Sequence, residues 1–296
     1  EIIPADALDE ESKVITLVRD TVKLEEQTAK KEIITVERQG RSAQIAVIDL
    51  PTFYLDYKAL HAGDRNYRSS TRDVKRLLRE LARSDIEGLV IDLRNNSGGL
   101  LQEAIEVTGL FIEQGPIVQV RGADGSINIL RDPDKGIYYR GPLAILTNRL
   151  SASASEICAG AIQDYGRGIV IGEPTFGKGT VQSVMQLNRG QLKATVAKFY
   201  RISGESTQNK GTSPDFAYPS LYDREKIGES ALKNALPWDR IARAKYQSFD
   251  DLSPVMDGLR QDHQRRLQDD PDYQYRLATI DYLEEVRKET RVSLHE

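Results

Sequence analysis

Three serines stand at alternate positions in SASASEIC, residues 151–158, and twenty positions on GEPTFGKGT, residues 172–180, isolates Lys178 between two glycines. A serine hydroxyl attacks a carbonyl only when a base removes its proton. Histidine is the usual base, but the chain has only His61, His263 and His295, none near the serines in sequence. A lysine can take the proton if it is neutral, which requires burial away from water and carboxylates. Phe176, Gly177, Gly179 and Val181 around Lys178 are uncharged, and its nearest acid in sequence is Glu173. Gln182, four positions on, shares a face with Lys178 on a strand or a helix and can orient its amine or a water.

Ser153 has two readings. Ser153-Ala154-Ser155-Glu156 is a capping box, and this stretch alone fits a helix cap better than a nucleophile. Yet a helix start also offers free N–H groups and the positive end of the dipole, which suit an oxyanion. Upstream, RNNSGG (94–99) follows the apolar run GLVIDL; it is either a plain glycine turn or a loop whose Gly98 and Gly99 N–H groups face a substrate carbonyl.

GEPTFGK also has the G-x-x-x-x-G-K form of a phosphate-binding loop. Three details oppose a nucleotide hydrolase. Position 179 is Gly where Ser or Thr would hold a metal. The following residues alternate like a strand. The strand bearing Asp92 precedes the lysine loop instead of following it.

The surrounding elements follow from periodicity. Residues 43–50, 87–93, 141–148 and 168–173 read as buried strands. Residues 71–84, 100–112 and 153–166 read as helices, the last closing at a glycine. Residues 116–130 read as a hairpin turning at Asp124-Gly125, and 180–203 as an antiparallel pair. Strands alternating with helices imply βαβ units and a mainly parallel sheet. Short β-like runs occur at 14–18 and 32–36, and NALPWDRIARAKY (234–246) and the segments after it read as helical.

The balance of 41 basic and 45 acidic residues gives a net charge of −4 with no strongly basic stretch, which argues against nucleic acid as the main partner. No apolar run approaches the roughly 18 residues that span a bilayer. One cysteine, Cys158, excludes an internal disulfide and a cysteine metal cluster. The first residues do not form a signal peptide, and the abrupt start suggests a piece of a longer protein.

LVIDLRNNSGG, SASASEICAGAIQDYGRG and IGEPTFGKGTVQ, in that order, resemble the S41-type carboxyl-terminal processing (tail-specific) serine peptidases, and KFYRISGESTQNKGTSPD and NALPWD resemble their Prc/Tsp-like periplasmic branch. The resemblance implies an α/β fold, a crotonase/ClpP-like spiral of ββα units with a helical C-terminal appendage. It divides the chain into residues 1–42 (the tail of a PDZ domain, with Glu1–Ala5 as its last strand, plus strands of the core), a peptidase core at 43–221 and a helical region at 222–296. It implies an endopeptidase with a Ser/Lys dyad and no metal or other cofactor. The family's spacing of 25 positions between nucleophile and base selects Ser153 for Lys178. Gln182 becomes the supporting group, and Ala154 with Gly98 or Gly99 the oxyanion hole. Glu156, Asp164 and Thr175 match further positions: Glu156 as fixing the helix start, Thr175 as orienting Lys178, Asp164 as structural. The implied setting is periplasmic, with protein or peptide substrates, cell-wall enzymes among them, and an adaptor protein. The chain departs from the pattern in lacking the PDZ domain before the core, which leaves an inactive peptidase-like scaffold as the alternative.

Overall fold

The computed structural model describes residues 27–38 and 40–289. The β-like run at 14–18 and the proposed strand Glu1–Ala5 lie outside them.

Two sheets carry the fold. The larger contains β1 (Lys30–Arg38), β2 (Arg41–Asp49), β3 (Gly88–Asp92), β6 (Leu143–Thr147), β7 (Ile169–Gly172) and β10 (Phe216–Ala217), in the order β1-β2-β3-β6-β7-β10. All neighbours run parallel except the edge pair β1–β2. Its central strands are apolar because both faces are covered; Ile48, Leu89, Ile91 and Ile145 are all buried. The second sheet is antiparallel, in the order β5-β4-β9-β8, from β4 (Gly115–Gly122), β5 (Ile127–Asp132), β8 (Thr180–Gln186) and β9 (Gln191–Tyr200). The two hairpins legible in the sequence thus join along β4–β9, with Gln119 opposite Tyr200.

Four helices lie among these strands: α1 (Tyr57–His61), α2 (Ser70–Leu81), α3 (Leu101–Gly109) and α4 (Ala154–Asp164). Helix α2 buries Val74, Leu77, Leu78 and Leu81, the stripe its spacing predicts. Helix α4 ends at Gly166, whose φ of 62° is the left-handed conformation that favours glycine.

The C-terminal region departs from its helical reading. Helices α5 (Ser253–Asp269) and α6 (Pro271–Lys288) form, but 234–246 is an extended strap. Its polar groups are satisfied by the core. Ser206 N–H donates to the Asp239 carbonyl, Ile241 N–H to Gly204, Ala244 N–H to Ile202, and the Trp238 indole to Ser206. Pro237 has no N–H to give a helix, and these cross-chain bonds outweigh the local preference.

Candidate active site

Each serine of SASAS has a distinct fate. Ser151 Oγ donates to the Leu93 carbonyl (2.7 Å) and accepts from Asn148 N–H (2.9 Å). Ser155 Oγ donates to the Asn96 carbonyl (2.9 Å). Both are fully buried and fix the loop after β3 against the start of α4. Ser153 is partly exposed and lines a cavity of about 310 Å³ together with Gly99, Ala154, Lys178 and Gln182. Its backbone sits at φ 55°, ψ −109°, a conformation rare for any residue but glycine. Strain of this kind costs on the order of 1–3 kcal/mol and concentrates at functional sites.

Glu156 holds that conformation. Its fully buried carboxylate accepts from Ser153 N–H (2.7 Å), the Thr175 hydroxyl (2.5 Å), Gly177 N–H (2.7 Å) and Lys178 N–H (2.9 Å). Burial raises the carboxyl pKa and the four donors oppose it, leaving it at about 7. The capping-box half made by Glu156 therefore does more than start a helix: one carboxylate ties the serine to the lysine loop. Thr175 shares this carboxylate with the Lys178 N–H, and accepts from Thr212 N–H (2.7 Å) on its other side.

Lys178 is half-buried, and its ammonium donates to the Thr180 carbonyl (3.3 Å) rather than to Ser153 Oγ. Burial lowers its pKa; Glu229 raises it, Lys193 lowers it and Glu156 raises it, in decreasing order. Gln182 lies exposed on β8 beyond a bulge between Val181 and Gln182, so strict strand alternation from 178 does not hold, though both residues line the cavity. Neither described histidine lines it; His295 lies outside the described residues.

The two glycines separate. Gly98 N–H donates to Asn96 Oδ1 (2.8 Å), which removes it from an oxyanion hole, whereas Gly99 lines the cavity. Gly99 has a φ of 145° and abuts the Phe53 backbone, where a Cβ would clash. Ala154 opens α4, where the first N–H groups have no partner in the helix ladder. Asp164 stands apart, at the far end of α4, paired with Arg201 (2.5 Å).

Sequence reasoning missed the cavity walls: Leu100, Leu101, Ile157, Val181 and Phe199, with Lys193 beside them. They come from four elements and carry no motif. It also missed Asn96, whose side chain bridges Leu50 and Gly98; an Asn between a buried strand and a glycine pair was the signal. Among the described residues, no group of three or more His, Cys, Asp or Glu could hold a metal, and no helix is long and apolar enough to cross a membrane.

The family profile of peptidase family S41 matches residues 44–218, and that of the C-terminal domain of tail specific protease matches residues 222–296. The chain is 42% identical over 274 residues to the tail-specific protease of Haemophilus influenzae, covering 88% of this chain and 37% of that one. It is 33% identical over 219 residues to the chloroplastic carboxyl-terminal-processing peptidase 2 of Arabidopsis thaliana, covering 73% and 40%. It therefore spans well under half the length of these relatives. Among solved structures, a photosystem II D1 C-terminal processing protease matches with a TM-score of 0.54 at 29% identity, over 67% of this chain and 48% of that one. Mature CPAF complexed with lactacystin matches with a TM-score of 0.54 at 14% identity, over 67% and 51%, a likeness of fold.

Proposed function

The chain belongs to peptidase family S41, and on that premise we propose that it hydrolyses peptide bonds through Ser153 and Lys178. The supporting observation is that both line one cavity while a single buried carboxylate, Glu156, binds the backbone N–H of each. Ser153 Oγ attacks the amide carbonyl carbon. The Lys178 amine leaves the Thr180 carbonyl, takes the hydroxyl proton and returns it to the leaving amine. The N–H groups of Ala154 and Gly99 receive the oxyanion, and Gln182 supports the amine or the hydrolytic water. Water, deprotonated by Lys178, then attacks the acyl-enzyme ester, and the lysine passes that proton to the departing Ser153 Oγ, restoring the hydroxyl and the neutral amine. No step calls for a metal or organic cofactor.

The cavity's apolar walls fit an apolar substrate side chain beside the scissile bond. For the whole protein we propose a periplasmic protease that trims or degrades proteins from their C-terminal end. Its substrates include cell-wall enzymes, and an adaptor delivers them. We assign residues 43–221 to the peptidase core, 222–296 to a C-terminal appendage and 1–42 to the tail of a PDZ domain together with core strand β1.

Casein hydrolysis by the full chain tests the dyad. Ser153→Ala and Lys178→Ala are each expected to lower kcat by at least about a thousandfold with an unchanged melting temperature. Activity retained in Ser153→Ala removes Ser153 as the nucleophile, and a parent chain without activity favours the inactive-scaffold reading.

A further inference from the structure

The loop carrying Lys178 is gripped from two sides. Glu156 holds one. On the other, Gly179 N–H donates to the Gln208 side-chain oxygen (2.9 Å), and Gln208 Nε2 donates to Glu229 Oε1 (3.1 Å). Glu229 closes the ring on the same loop, since its N–H donates to the Phe176 carbonyl (3.0 Å). Gln208 is fully buried and Glu229 is 7% exposed. Glu229 sits on a single 3-10 turn, Glu229–Ala231, entered through Gly228 at φ 136°. A Cβ on Gly228 would overlap the Arg149 guanidinium, which donates to the Ile227 carbonyl (2.7 Å) and the Thr175 carbonyl (2.5 Å). The turn is thus fastened to the loop that supplies the lysine.

A carboxylate buried this deeply is costly unless a cation or several donors face it. The Gln208 amide supplies one donor. The cation whose charge responds to Glu229 is Lys178.

We propose that Glu229, acting through Gln208, is a positioning residue for Lys178, contributed by the segment that follows the peptidase core. The inference rests on Lys178 as the base. Residues 44–218 match the peptidase family and stop short of it; Glu229 lies within the C-terminal match at 222–296. The core and its appendage therefore share the active site: the core supplies nucleophile and base, and the appendage supplies Glu229, which is tied to the lysine loop through Gln208 and the Phe176 carbonyl. Three charged groups act on the Lys178 amine: Glu229 from the 3-10 turn, Lys193 from β9 and Glu156 from α4. Burial and Lys193 lower the pKa of the amine and so favour its neutral form. Glu229 and Glu156 favour the ammonium that forms when it does.

Competitive acetylation of Lys178 by acetic anhydride across pH, read by peptide mass spectrometry, follows the amine directly. Peptide hydrolysis across pH follows catalysis. In the full chain, Glu229→Gln keeps an oxygen for Gln208 but removes the charge. Both the labelling midpoint and the acid limb of kcat/KM are expected to move to lower pH, by about half a unit or more. Gln208→Met cuts the bridge and leaves the charge; kcat is expected to fall about three- to tenfold with KM little changed. An unmoved labelling midpoint in Glu229→Gln, or an unchanged kcat in Gln208→Met, overturns the inference. Hydrolysis retained by Lys178→Ala removes the base reading instead, because the labelling midpoints are measured without reference to catalysis.

Discussion

Three chemically identical serines within five positions differ in what their hydroxyls already hold. Ser151 and Ser155 are committed to buried carbonyls, and Ser153 alone of the three faces the cavity. Ser155→Ala is therefore expected to remain proteolytic but lose about 1 kcal/mol of stability, because it removes one of two hydrogen bonds to the Asn96 carbonyl and leaves only that from Ala152 N–H. Thermal melts and casein assays on the same samples check it; loss of activity at full stability would transfer the nucleophile's role to Ser155. Glu156→Gln separates capping from clamping. A cap-only role costs about 1 kcal/mol. A clamp that accepts four donors cannot be replaced by an amide, whose NH2 would confront two of them. Activity is expected to fall more than about tenfold, with kcat carrying the loss; a stability effect alone would return Glu156 to the role of cap. Spacing exposed Ser153, Lys178 and the S-x-x-E signature in the sequence. The fourfold sharing of one carboxylate was hidden, since three of its donors lie 19 to 22 positions away.

At the scale of elements, periodicity located β3 and α4 because each buries its own apolar pattern, and the β8–β9 hairpin by strand alternation alone, since most of its residues are exposed. It failed where the partner was distant. The strap 234–246 is extended because its hydrogen bonds run to 202–206, a pairing without local signature. The glycines of RNNSGG looked equivalent until Asn96 claimed one N–H. The β8–β9 hairpin also contributes to the electrostatics of Lys178 through Lys193. Only neutral Lys178 can take a proton, and burial lowers its pKa. Activity is thus expected above that pKa and lost as pH falls through it, with kcat/KM dropping about tenfold per unit below the midpoint. Lys193 pushes in the same direction as burial, so Lys193→Gln should raise the midpoint and move the acid limb to higher pH. The shift should be modest, since Lys193 is exposed and screened by salt. A limb that stays in place, or moves down, would exclude Lys193 from tuning the base.

Across the whole molecule, the cavity lies between the starts of α3 and α4 and strands β8 and β9 of the smaller sheet. The C-terminal helices meet the core at several points, among them ring contacts of Tyr218 with His263 and Tyr273 and a hydrogen bond from Arg287 to the Leu221 carbonyl. Arg276 of α6 pairs with buried Glu173 (2.7 Å) and donates to the Pro219 carbonyl (2.7 Å). Glu173 also accepts from Ser220 Oγ and Arg149 N–H. Little else fixes α6 by burial, for none of its residues is buried and Tyr275 and Tyr282 are largely exposed. Arg276→Ala leaves Glu173 buried without its cation. The expected cost is about 1–3 kcal/mol, held down by the arginine's partial exposure. Calorimetry should show the loss, and limited proteolysis should cut first within 270–288. If α6 were held by diffuse packing instead, the variant would melt as the parent does and resist cleavage there. Glu173 lies two residues before Thr175, so release of α6 should also slow hydrolysis; a fall in kcat alongside early cleavage would connect the C-terminal helices to the lysine loop.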